Sequence, residues 1–203
     1  EEGRPVFNPD QIPTLADVDS EKTFEVCPHY HGARNLNSPS YSPLTGLYYM
    51  GLNNSCMDVN FVSDEPGGFY AGMRSSRVKM VPGYDYVGEF VAFDPVTGAR
   101  QWEYRQPSGA AMTAAALATG GGIVFGGAAD RRFFALDADT GAALWEMRLN
   151  GDISGAPVSF EVEGKQYVAV GAGGRIAQTT SYARLTGEDI PQGSGVIWVF
   201  ALP

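Results

Sequence analysis

A sixteen-residue stretch written twice constrains this chain most. Phe90–Arg105 reads FVAFDPVTGARQWEYR, and Phe133–Arg148, 43 residues later, reads FFALDADTGAALWEMR. Nine of the sixteen positions are identical: Phe, Ala, Asp, Thr, Gly, Ala, Trp, Glu and Arg. Each copy predicts a strand, a tight Asp-x-x-Thr-Gly turn and a second strand carrying Trp. In the second copy Phe133, Ala135 and Asp137 alternate with Phe134 and Leu136, and Gly141 supplies the turn with access to positive φ. A repeat in the forties with period-two alternation and one Trp per unit is the pattern of β-propeller blades.

The remaining strands follow from that frame. Met112–Ala118, Gly122–Gly127, Arg132–Ala138 and Ala142–Leu149 are expected to give one complete four-stranded antiparallel blade. Pro157–Val162 and Gln166–Gly171, joined through Glu163–Gly164, begin the next, and Val196–Leu202 follows a glycine-rich loop as its third strand. No Asp-Thr-Gly turn and no Trp strand come after it, so this blade is expected to lack its outer strand. Upstream, Pro43–Gly46 is a turn ahead of a strand at Leu47–Leu52. Residues 57–86 alternate poorly and read as an insertion loop, and residues 1–25 as a surface connection. The expected blades are 33–106, 109–150 and 154–203, all parts of one all-β domain. Three blades do not close a ring, and an open edge is a liability that closure removes. The chain opens on EEGRPVFNPDQIPT and is expected to be a segment of something longer, completed by an N-terminal part of the same precursor.

Composition narrows the partners. Net charge is −9 with no basic cluster, which argues against nucleic acid and anionic membrane. No apolar run approaches a membrane span. Cys27 and Cys56, 29 residues apart, fit neither a zinc pattern nor a Cys-x-x-Cys motif, and on spacing alone they are either bonded or buried thiols. His29 and His31 would face one way on a strand, but two imidazoles without carboxylate company make a poor metal site. Asp94 and Asp137 belong to the repeat turns and are not candidates for catalysis.

Three motifs together carry a resemblance: the A-x-D-x-x-T-G-x-x-x-W repeat, CPHYHGARN followed by SYSPLTGLYYMGLNNSCMD, and GKQYVAVGAGG. They resemble the C-terminal third of quinoprotein alcohol dehydrogenases, eight-bladed propeller enzymes that hold pyrroloquinoline quinone (PQQ) and a calcium or lanthanide ion. The resemblance implies that Asn35, which by itself would read as a turn cap before Asn37-Ser38-Pro39, lays its amide against the quinone. It implies that backbone N–H groups of Gly173, Gly174 and Arg175 approach the cofactor, and that Cys27 and Cys56 form a disulfide, hence a periplasmic, oxidising location. It places the metal ligands, the catalytic Asp and the basic residue over the quinone in earlier blades, so no catalytic or metal-binding residue is expected within this segment. His31, close to Asn35, is expected to line the substrate entrance, and Trp102 and Trp145 to pack between blades. Methanol-oxidising members carry Trp where this chain has Thr113 and Arg175, which implies a roomier, more polar pocket suited to bulkier alcohols, polyols or sugars. Electrons would pass to a cytochrome c-type acceptor. The alternative is a non-enzymatic propeller scaffold that binds proteins, which would have no use for the Cys27–Cys56 block.

Overall fold

The structure, a computed structural model, describes residues 8–35, 37–63, 72–173, 177–187 and 194–201. In chain order its strands are β1 (Phe24–Val26), β2 (Ser40–Ser42), β3 (Leu47–Asn53), β4 (Ser55–Val62), β5 (Gly72–Met80), β6 (Gly88–Phe93) and β7 (Arg100–Tyr104). After these come β8 (Leu117–Ala118), β9 (Ile123–Gly127), β10 (Arg132–Asp137), β11 (Ala143–Arg148), β12 (Val158–Val162) and β13 (Lys165–Ala172). A helix α1 (Ala177–Thr186) and β14 (Val196–Ala201) follow.

Three antiparallel sheets succeed one another along the chain: β2-β3-β6-β7, β8-β9-β10-β11 and β12-β13-β14. They pack face to face as blades of a partial propeller, and the alternation of side chains explains how. From the first sheet Tyr49, Phe90 and Ala92 meet Phe134, Leu136 and Ala138 of the second. Phe133 and Ala135, on the other face of β10, meet Val168 and Val170 of the third. A strand sandwiched between two sheets must be apolar on both faces, which is why FFAL in β10 is buried throughout. The blade-to-blade joint is specific as well as apolar. Trp102 on β7 donates its indole N–H to the carbonyl of Ala138 at 3.1 Å, and the buried Tyr49 hydroxyl donates to the same oxygen at 3.0 Å. Phe90 and Phe134 meet edge to face, 5.5 Å between centroids.

The repeat turns are Asx turns. Asp94 Oδ1 accepts the N–H of Val96 at 2.8 Å, and Asp137 Oδ1 accepts that of Thr140 at 2.9 Å. The Val96 N–H on Asp94, and on Asp137 first the Thr140 hydroxyl at 2.8 Å and then its N–H, hold both carboxyls below the usual carboxylate range.

The structure departs from the sequence reading in three places. Residues 57–86, read as a loop without regular structure, carry most of the β4–β5 hairpin, which pairs with β1 to make a fourth sheet, order β1-β4-β5. The hairpin leaves the first blade between β3 and β6, which pair directly with each other. The expected Met112–Ala118 strand shrinks to β8 and a lone bridge from Met112 to Ala128. Thr113 and Ala114 both donate to Gly127 O, and Ala116 donates across to Ser38 O, so the segment peels off its own blade toward the first one. Finally, the expected glycine-rich loop before β14 contains α1, whose Tyr182 is buried with Val87, Ala111 and Ala129, with Leu185, Val78 and Met80 packed around that cluster.

Candidate functional site

The loop between β1 and β2 is held at several points by residues 53–56. Cys27 and Cys56 form a disulfide, with Cα atoms 4.4 Å apart. His29 N–H donates to Ser55 O at 2.8 Å, and Asn53 N–H donates to Ala33 O at 2.7 Å. The loop itself is closed by Gly32 N–H donating to His29 O at 2.6 Å. Residues 29–35 are thereby presented on a fixed platform at the end of β3.

His29 lies at the bottom, 3 % exposed, its ring 4.2 Å from Tyr30 and 6.1 Å, edge to face, from Tyr182 of α1. Burial, with His31 nearby as a lesser cause, pushes its pKa down to about 4, and burial also lowers that of His31. Both rings are therefore neutral at pH 7. His29 Nδ1 accepts the His31 backbone N–H at 3.3 Å. Asn35, exposed, places Nδ2 3.3 Å from His31 Nδ1, a donor-to-acceptor arrangement with the tautomer protonated at Nε2. That contact orients the Asn35 amide.

Opposite the loop the second blade presents Thr113. Its backbone is fixed by two asparagines that the sequence reading did not single out. Asn53 grips the Met112 backbone on both sides, Nδ2 donating to Met112 O at 2.9 Å and Oδ1 accepting Met112 N–H at 2.7 Å. Asn37 Nδ2 donates to the same Met112 oxygen at 3.1 Å. Thr113 is 7 % exposed, and its hydroxyl has no hydrogen-bond partner among the described residues.

Loop and blade enclose a small polar recess lined by His31, Gly32, Asn35, Asn37, Asn53, Met112, Thr113 and Tyr182. Its volume, about 20 Å³, is room for little more than a water molecule. Among the described residues no Asp or Glu lines it, although the chain carries a net charge of −9. Two larger cavities differ in chemistry. One, of about 290 Å³ between the second and third blades, is walled by Phe125, Phe133, Trp145, Val168 and Phe200 and is almost wholly apolar. The other, of about 610 Å³, lies between the β4–β5 hairpin and α1, where Lys79 is already paired with Glu25 and Asp58.

Of the other expected site residues, Gly174 and Arg175 lie outside the described residues. Gly173 sits in a separate cleft with Ser154, Gly155 and Gly171. Its N–H already donates to Asp152 O at 3.0 Å, and a Cβ there would come within 2.4 Å of Ser194 O. That glycine is required by the crossing of two backbone segments. Among the described residues, the one grouping of three metal-ligand side chains is Glu25, Cys27 and Cys56, whose two sulfurs are bonded to each other.

Comparison with known proteins shows what the chain as a whole is similar to. Residues 103–168 match the family described as "Glucose/ethanol/alcohol dehydrogenase, beta-propeller domain". The quinoprotein ethanol dehydrogenase of Pseudomonas aeruginosa is 36% identical over 207 residues, covering 99% of this chain and 32% of that protein. The quinoprotein alcohol dehydrogenase PedE of Pseudomonas putida is 37% identical over 208 residues, with 99% and 32% covered. A europium-containing methanol dehydrogenase superposes with a TM-score of 0.74 at 28% identity, over 90% of this chain and 35% of its own.

The chain belongs to the quinoprotein alcohol dehydrogenase family. It spans about a third of the length of the curated relatives it matches. Its sheets follow one another blade by blade, and the Trp102 indole bond to Ala138 O locks the first to the second. No described helix is long and apolar enough to cross a membrane.

Proposed function

We propose that this segment forms one wall of the PQQ site of a quinoprotein alcohol dehydrogenase, the remaining blades of an eight-bladed ring being supplied by sequence outside these 203 residues. The observation that carries the reading is the recess between the disulfide-anchored loop and Thr113. PQQ is planar and carries several carboxylates, so it needs a rim of fixed polar groups without negative charge. Among the described residues, the recess offers the oriented Asn35 amide and a neutral imidazole on His31, and no acidic side chain. Gly174 and Arg175 are proposed to complete this contact from the third blade. Bound there with a calcium or lanthanide ion, PQQ would supply the chemistry of taking two electrons and hydrogen from an alcohol, giving an aldehyde or ketone.

This chain's own residues would bind and orient. Asn35, steadied by His31, would hold the cofactor through its amide, and the Cys27–Cys56 bond keeps that loop in place. The general base and the metal ligands are proposed to come from the other blades. Thr113, in place of a bulky Trp, leaves space for alcohols larger than methanol, including polyols or sugars. The disulfide supports a periplasmic location, and a cytochrome c-type protein is the proposed electron acceptor.

The test is cofactor extraction and reconstitution of the whole protein that carries this segment. The expected result is a bound quinone, or a quinone absorption band regained on adding PQQ and Ca²⁺, with Asn35→Ala binding PQQ at least several-fold more weakly. A protein that holds no quinone and shows no spectral response to PQQ with Ca²⁺ or a lanthanide ion would sink the proposal.

A further inference from the structure

β5 ends its sheet, order β1-β4-β5, and so has one edge without a neighbouring strand. Among the described residues, the backbone of Arg77–Met80 pairs with β4 alone. A free row of N–H and C=O groups is a template for another strand. Here that row faces a cleft. Four consecutive residues, Arg77, Val78, Lys79 and Met80, line the cavity of about 610 Å³ whose far wall carries Arg184 and Leu185 of α1. Consecutive side chains of a strand point to opposite faces, so a cavity that touches all four runs along the edge itself.

The chemistry of the cleft alternates with the strand. Val78 and Met80 share one face and pack with Leu185 around the Tyr182 cluster. Arg77 and Lys79 share the other. Lys79 is already paired with Glu25 and Asp58. Arg77 and Arg184 are exposed, and neither forms an ion pair among the described residues. Three cations against one carboxylate, Asp58, thus line a cleft in a chain of net charge −9. Charges on an edge strand commonly keep other strands away. Arg184 belongs to a different element and protects no edge, and the apolar side chains beside it repel nothing.

We infer that the open edge of β5 is a docking site for an extended segment of a partner protein in which acidic and apolar residues alternate. Such a segment adds to the sheet as a further strand. Its apolar side chains lie toward Val78, Met80 and Leu185, its carboxylates lie toward Arg77, and Arg184 at the lip of the α1 wall supplies a second guanidinium. The partner is acidic on this account, because the cleft is cationic where the rest of the chain is not. The inference is independent of the cofactor reading and survives its failure.

The test uses the whole protein that carries this segment and a fluorescein-labelled peptide alternating Glu and Val, followed by fluorescence anisotropy. The alternating peptide should bind at least about tenfold more tightly than a block peptide of the same composition, and raised salt should weaken it. Amide exchange within Arg77–Met80 should slow when it binds. A strand pairs along one edge through alternate residues, so N-methylating the Glu amides and N-methylating the Val amides should differ: one abolishes binding and the other leaves it. Arg77→Gln with Arg184→Glu should weaken the alternating peptide about tenfold or more while leaving the melting temperature nearly unchanged, since both side chains are exposed and unpaired. Equal binding of the alternating and block peptides would show a charge effect without strand pairing and overturns the inference. So does indifference to both N-methylated sets, wild-type affinity in the double variant, or equal competition by a short DNA duplex, which would make the cleft a site for polyanions at large. Absence of any binding by the alternating peptide overturns it outright.

Discussion

Gly98 and Gly141 hold the same place in the two copies of the repeat, at φ +71° and +73°, yet their surroundings differ. A Cβ on Gly98 would meet nothing within 4 Å, whereas one on Gly141 would come within 2.6 Å of the Trp102 ring, itself tethered to Ala138 O. Gly98→Ala should therefore cost only the left-handed backbone penalty, about 1 kcal/mol. Gly141→Ala adds a clash with a ring that cannot retreat, about 1–3 kcal/mol more. Urea denaturation midpoints of the two variants compare them directly, and equal losses would contradict the Trp102 joint. His29 gives a second prediction at this scale. Its folded pKa of about 4 lies below the ordinary 6.5, so from pH 6.5 downward the unfolded chain takes up a proton that the native state refuses. Stability from this group is complete above pH 6.5 and falls as the pH drops toward 4, by at most about 3 kcal/mol. His29→Gln should flatten that slope in denaturation curves taken between pH 7 and pH 4.5.

The element that matters most is the loop from Cys27 to Asn35, and what holds it is covalent as well as hydrogen-bonded. Closing a 29-residue separation contributes about 3–4 kcal/mol in the chain-entropy account. Replacing both cysteines by serine should lower the denaturation midpoint accordingly and raise amide exchange first in residues 29–35, before the blades respond. Uniform exchange across the protein would show that the bond serves the fold at large and not this loop. The same element shows what a sequence can and cannot disclose. The Asp-Thr-Gly turns, the Trp strands and the Glu163–Gly164 hairpin, both of whose residues take positive φ, were legible because each is a local device. The β4–β5 hairpin was not, because its burial partners are distant in sequence: β1 lies some thirty residues upstream and α1 about a hundred downstream. A register shift between Asn60 and Phe61 further breaks the alternation of β4. Asn35 could be singled out by the motif around it. Asn37 and Asn53 could not, since they bind a backbone carbonyl 75 and 59 residues away, and such a contact leaves no mark on composition or period.

At the scale of the whole molecule the third sheet is the informative one. Its inner face, with Val168, Val170, Trp198 and Phe200, is packed on the second blade. Its other face is just as apolar and is open: Val158, Phe160 and Val162 on β12 and Ile197 and Val199 on β14 are all 41–76 % exposed. Cross-strand pairing joins them through Ala169 and Tyr167 into one surface, Val158 and Val199 opposite Ala169, Phe160 opposite Tyr167. Such a contiguous patch is what the next blade of a propeller would cover, by the same logic that buries both faces of β10. Produced alone, residues 1–203 should therefore bind a hydrophobic dye and self-associate in size-exclusion chromatography with light scattering. Val158→Lys with Ile197→Lys should return that isolated segment toward a monomer, because the charges sit in water there. In the whole protein the same pair should be strongly destabilising, since each lysine would replace about 1.5–3 kcal/mol of apolar burial with a charge lacking a partner. The two contexts must disagree in sign for the face to be an interface between blades. If the lysines are tolerated in the whole protein, or if the isolated segment is a dye-silent monomer, the ring does not continue from this sheet.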